Sequence, residues 1–169
     1  SLPLQKKIRD QIKIKPSITF SDTRLANEVV KTIEKAKIKE LVEYNFQVKK
    51  GVIYFKAQLK RDDLELKNKI YEILSKIEGV KNIVISYSVD SINTPFEEKI
   101  EEEIKKIILD RESLSLKKIR IFVINGIVFL SGEVKSYNDM LYLEEKVGEI
   151  EGVKRVINQL TVGLWVTAL

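Results

Sequence analysis

With 169 residues, 44% of them hydrophobic and 33% charged, the chain reads as a folded globular protein with material for one domain or two small ones, not as a disordered one. Cysteine and histidine are absent, which removes thiolate and imidazole metal ligands, the commonest nucleophile and the base best suited to neutral pH. Net charge is +5 but uneven: residues 1–93 hold 19 Lys and Arg against 12 Asp and Glu, net +7, whereas residues 94–169 hold 11 against 13, net −2. A basic first half suits an anionic surface, phosphate headgroups or nucleic acid, or simply keeps the chain soluble.

No apolar run approaches the ~18 residues of a membrane-spanning helix, and no leader is visible ahead of the fold. Abundant Lys, Glu and Ile with a single Met resemble the composition of proteins from hot environments. Residues 1–20 form a basic lead-in with five basic residues and one Asp. Leu4, Ile8 and Ile12 share a helical face there, and Pro16 stops that helix.

From Ser21 the apolar positions repeat at an offset of 75. Leu25, Val29 and Ile33 answer to Ile100, Ile104 and Ile108, one helical stripe at spacing four. Ser21-Asp22 and Thr94-Pro95 supply the starts. Leu41, Tyr44, Phe46 and Val48 answer to Leu116, Ile119, Ile121 and Val123, and Gly51, Ile53, Phe55 and Leu59 to Gly126, Val128, Leu130 and Val134. Each of these stretches is a hairpin. In the second, Asn125-Gly126 favours a type I′ turn, which pairs Ile124 with Ile127, Phe122 with Phe129 and Ile121 with Leu130.

The offset then becomes 73. Leu66, Ile70, Leu74 and Ile77 form a second helical stripe, matched by Met140, Leu143, Val147 and Ile150. Gly79 and Gly152 close these helices, and a third strand follows in each copy, with Asn158 breaking the alternation so that a bulge or partial exposure is expected. The fold class is therefore α+β: two tandem α-β-β-α-β modules, each a three-stranded sheet with two helices on one face. Their expected bounds are 21–90 and 95–163, joined by Ser91–Pro95, with a tail at 164–169.

This pattern resembles the BON-domain family of bacterial osmotic-stress and nodulation proteins. The residues that carry the likeness are the lead Asp22, the glycine-started strand GIVFLSGEV from Gly126, and the glycine-valine pair Gly152-Val153. Ala57 stands where the second copy has Gly132, and Glu97 where the first has Asp22. The resemblance implies a non-enzymatic cell-envelope protein that binds anionic phospholipid and supports envelope integrity or stress tolerance. It also implies an alternative, a docking or ring-building module of an envelope assembly. The address it implies is periplasmic or envelope-associated, with a signal peptide removed upstream of Ser1.

Candidate contact residues fall into three groups. The basic set for lipid is Lys31, Lys35, Lys37, Lys39, Lys49, Lys50, Lys56, Lys60 and Arg61; helix-end lysines also offset the macrodipole without any partner. The outward patch is Phe122, Ile124, Ile127 and Phe129, with Ile157 and Trp165 beside it, on a sheet face that should be polar. It is expected to be buried by the first copy, the tail, another subunit or lipid, whereas the first copy's outer face, with Lys56 and Gln58, reads as solvated. Tyr137, Leu141 and Tyr142 lie off the helical stripe, as candidate membrane contacts or ordinary exposed apolar residues. The run Glu97, Glu98, Glu101, Glu102 and Glu103 reads as a solvated helix start rather than a metal site. No catalytic residues, cofactor or metal are expected, and without an RNP-like strand or GXXG loop no nucleic acid either.

Overall fold

The computed structural model describes residues 20–163; the lead-in up to residue 19 and the tail 164–169, including Trp165, lie outside the described residues. Ten elements follow in order: α1 (Phe20–Ala36), β1 (Leu41–Lys49), β2 (Val52–Leu59), α2 (Leu64–Ser75), β3 (Asn82–Ser88), α3 (Pro95–Leu109), β4 (Ile119–Ile124), β5 (Ile127–Val134), α4 (Tyr137–Gly148) and β6 (Arg155–Val162). They make two three-stranded sheets, ordered β1-β2-β3 and β4-β5-β6, in an α+β fold consistent with two tandem α-β modules. The described chain divides into two compact units, one of residues up to 38, 46–54 and 65–84, the other of residues 39–45, 55–64 and 85 onward.

In the first unit the spacing-four stripe of α1 buries Leu25, Val29 and Ile33, and α2 buries Leu66, Ile70 and Leu74. Asp22 is not a cap. It lies inside the first turn of α1, 2% exposed, and its carboxylate accepts the N–H groups of Lys50 (2.8 Å) and Gly51 (2.9 Å) at the β1–β2 turn. Those two residues have φ of 51° and 80°, the left-handed pair that a type I′ turn demands.

In the second unit, β4 and β5 pair in the register that Asn125-Gly126 dictates, with Phe122 opposite Phe129 and Ile124 opposite Ile127. The turn angles repeat those of the first hairpin, with φ of 48° at Asn125 and 84° at Gly126. β6 pairs with β5 in parallel, a connection that needs a crossover, supplied here by α4. Ile100, Ile104 and Ile108 of α3 and Leu143 and Val147 of α4 pack with Val123, Val128, Leu130, Val134 and Leu160. Each such side chain removed from water stabilises the fold by about 1.5–3 kcal/mol.

Of the two alternatives expected at Asn158, a bulge or partial exposure, the second holds: β6 runs in unbroken register against β5, Leu130 opposite Asn158, and Asn158 is half-buried. Its Oδ1 accepts the Leu160 N–H at 3.0 Å and its Nδ2 reaches the Met140 carbonyl at 3.5 Å. One expectation needs correction. The outer face of β2 is not solvated, because Tyr54 and Lys56 are buried along with Ile53, Phe55 and Ala57. Alternation in β2 thus marks two covered faces rather than one wet and one dry.

Candidate functional site

The second unit contains a buried polar cluster centred on Glu97. Thr94 caps α3 and Pro95 begins it; the Thr94 side chain accepts the Glu97 N–H at 3.2 Å, and Glu97 Oε1 accepts the Thr94 N–H at 3.1 Å. The second carboxylate oxygen accepts the Asn125 N–H at 3.0 Å, so Glu97 supports the β4–β5 turn as Asp22 supports the β1–β2 turn, at the same repeat position. Glu97 is wholly buried, which overturns its reading as part of a solvated acidic run.

Lys56 of β2 completes the cluster and leaves the candidate lipid-binding set. It is 3% exposed, its Nζ lies 3.6 Å from Glu97 Oε1, and it donates to Asn93 Oδ1. Asn93 Nδ2 in turn donates to Glu101 Oε2 at 2.6 Å. Burial pushes the Lys56 ammonium below its ordinary value, opposed by the negative charges of Glu97 and Glu101. A side chain so enclosed cannot reach a bilayer.

The other basic candidates are carried by separate elements. Lys39, Lys60 and Arg61 are exposed at the open end of the first hairpin, where the Lys60 N–H bonds the Glu40 carbonyl at 2.9 Å. Glu40, Glu43, Asp62 and Asp63 stand among them, and Arg61 pairs with Asp63 at 3.7 Å. Lys31 and Lys35 are exposed on α1 and Lys37 follows its end; Lys31 lies 3.9 Å from Glu28. Lys49, half-buried, and Lys50, exposed, sit at the opposite, turn end of the hairpin. Lys81, absent from the expected set, joins them. Its N–H donates to the Gly51 carbonyl at 2.9 Å and its alkyl chain lies against Gly51. The sequence signal was available, because Lys154 occupies the same repeat position and packs against Gly126.

The outward patch is buried within the single chain. Phe122, Ile124 and Phe129 are 6%, 0% and 2% exposed, and Ile127 is half-buried. Phe122 and Phe129 meet edge to face at 5.6 Å, Ile157 stands opposite Phe129 in β6, and the Lys56 ammonium lies 5.4 Å from the Phe122 ring. Trp165 lies outside the described residues. On α4, Tyr137 and Leu141 are exposed, whereas Tyr142 is half-buried under the Arg111 guanidinium, 3.9 Å from its ring centre.

Arg111 also reaches Asp139, at 2.8 Å, and Ser113 Oγ donates to the same oxygen at 2.7 Å. Burial pushes the Asp139 carboxyl up, but these hydrogen bonds and the Arg111 charge outweigh it and hold the group below its ordinary range. A depressed folded value contributes stability above the unfolded pKa of about 4 that is lost as pH falls through the folded value. Asp139→Asn is therefore expected to lower stability by about 2 kcal/mol at neutral pH. In paired melting curves the gap to the unaltered chain should close in acid.

Among the described residues no group of three His, Cys, Asp or Glu is arranged to hold a metal, and no helix is long and apolar enough to cross a membrane.

No curated protein matches the chain. Among solved structures it is similar to the C-terminal domain of CdsD, a structural protein of the type III secretion system of Chlamydia trachomatis, at 13% identity and a TM-score of 0.33. That alignment covers 78% of this chain and 62% of the other. A second CdsD structure from the same organism gives 10% identity and a TM-score of 0.34, covering 81% of this chain and 91% of that one. Likeness at this level transfers neither fold nor function. The family comparison is more specific: residues 97–163, from the buried Glu97 to the residue after β6, match the BON domain.

Proposed function

We propose that this is a non-enzymatic cell-envelope protein of two BON-like modules, residues 21–90 and 95–163, that approaches anionic phospholipid through the turn end of its first hairpin and supports envelope integrity under stress. The observation that carries this reading is the asymmetry of two otherwise equivalent turns. The first presents Lys49, Lys50 and Lys81; at the same positions the second has Ile124, Asn125 and Lys154, with Ile124 buried. Apart from the general acidity of the second half, nothing in the fold requires the first turn to be the more basic, since both turns are held by the same carboxylate contact.

Each lysine near an anionic bilayer contributes about 1 kcal/mol at low salt. Lys50→Gln with Lys81→Gln should therefore reduce partitioning onto phosphatidylglycerol vesicles roughly 30-fold, with folding unchanged. Co-sedimentation with anionic and neutral vesicles at two salt concentrations measures it. Equal, negligible binding of the unaltered chain to both vesicle types at low salt removes the lipid reading. A docking role then takes its place, favoured by Tyr137 and Leu141, exposed one turn apart on α4 beside the exposed Glu144 and Glu145.

A further inference from the structure

The outer face of β4 and β5 is apolar and covered, yet part of what holds its cover is ionic. Lys56 lies over Phe122 with its charge on Glu97 and its remaining contact on Asn93, and the Asn125 amide donates to the Ile85 carbonyl at 3.2 Å. A permanent cover over Phe122, Ile124 and Phe129 would be at least as stable with apolar side chains in place of both ions, because a buried pair must repay the desolvation of both. The module itself does not need a cation there, since the repeat position of Lys56 is Ser131 in the second copy. An ion pair also differs from apolar contact in how it fails. Once parted, both ends regain water, and the attraction falls from that of a low-dielectric interior to that of an exposed pair.

We propose that Lys56, Glu97 and Asn93 form a latch that holds the outer face of β4–β5 closed, and that its release exposes Phe122, Ile124 and Phe129 while the core beneath α3 and α4 stays packed. The latch is independent of what the first turn binds.

Absence of cysteine from the chain makes a direct test available. Ile124→Cys places a thiol on the latched face and Val128→Cys places one in the core; both native side chains are 0% exposed. In the otherwise unaltered full chain, a thiol reagent should label position 124 faster than position 128, because the first needs only local opening. Adding Lys56→Met should raise the labelling rate at position 124 about tenfold, with position 124 still faster than 128, because losing a contact made only in the closed state eases local and global opening alike. Lys56→Met with Glu97→Gln should raise that rate by less than the product of the two single effects, because the pair acts as a unit. Equal rates at 124 and 128 in the unaltered background, a rate at 124 unmoved by Lys56→Met, or single effects that simply multiply in the double variant would each overturn the latch.

Discussion

Glu97→Gln should be among the most damaging single substitutions in the chain, lowering the unfolding free energy by about 3–5 kcal/mol in denaturant titrations near neutral pH. Glutamine can still accept a turn N–H, so the loss is mainly electrostatic: Lys56 is left as a buried cation with its nearest counter-charge gone. Lys56→Met should cost less, since Glu97 keeps the N–H donors of Thr94 and Asn125. The double variant should cost less than the sum of the two, with a coupling of about 1–3 kcal/mol. The pH dependence has a definite sign. An unfolded lysine keeps its proton to about 10.5, whereas the buried one releases it at lower pH. Between those values the unfolded state binds more protons, so stability rises with pH. The Glu97→Gln deficit should therefore shrink as the solution is made alkaline from neutral pH.

The second large effect is a backbone one. Gly132 has φ of 106°, and a Cβ built there would lie 2.0 Å from the Lys118 carbonyl oxygen. That oxygen, in the turn just before β4, is held by the Glu133 N–H at 3.0 Å and cannot retreat cheaply. Gly132→Ala should cost about 3 kcal/mol or more, strain and clash together, a large share of a small domain's stability. Ala57, its repeat counterpart, is not among the residues with positive φ. Ala57→Gly should therefore cost only about 1 kcal/mol, the usual penalty for a glycine within a strand. Thermal melts of the two variants side by side would show the asymmetry.

These two sites mark the boundary of what could be read from the residues. The hairpin register was legible because Asn125-Gly126 leaves one turn geometry, and the period of two then assigns every side chain from Ile119 to Val134 to a face. The helical stripes were legible because Ile100, Ile104 and Ile108 have no other way to be buried together. Glu97 was not, because glutamates in a first turn favour solvent and the dipole equally well whether or not one of them is buried. Its equivalence to Asp22 was visible, but not that both carboxylates bond the turn that follows in sequence. Lys56 was misplaced because parity tells which face of β2 it occupies and not whether that face is covered. The crossover that makes β6 parallel to β5 left no signal beyond the length of α4.

The most direct test of the proposed lipid contact is residue by residue. Nuclear magnetic resonance spectra of the isotope-labelled chain, recorded while mixed phosphatidylglycerol and phosphatidylcholine vesicles are added at low salt, would show which backbone signals broaden. The lipid reading predicts early loss at Lys49, Lys50, Gly51 and Lys81, reversed by salt and absent with phosphatidylcholine alone. Signals that stay sharp throughout, or that broaden first at Tyr137 and Leu141, would contradict it.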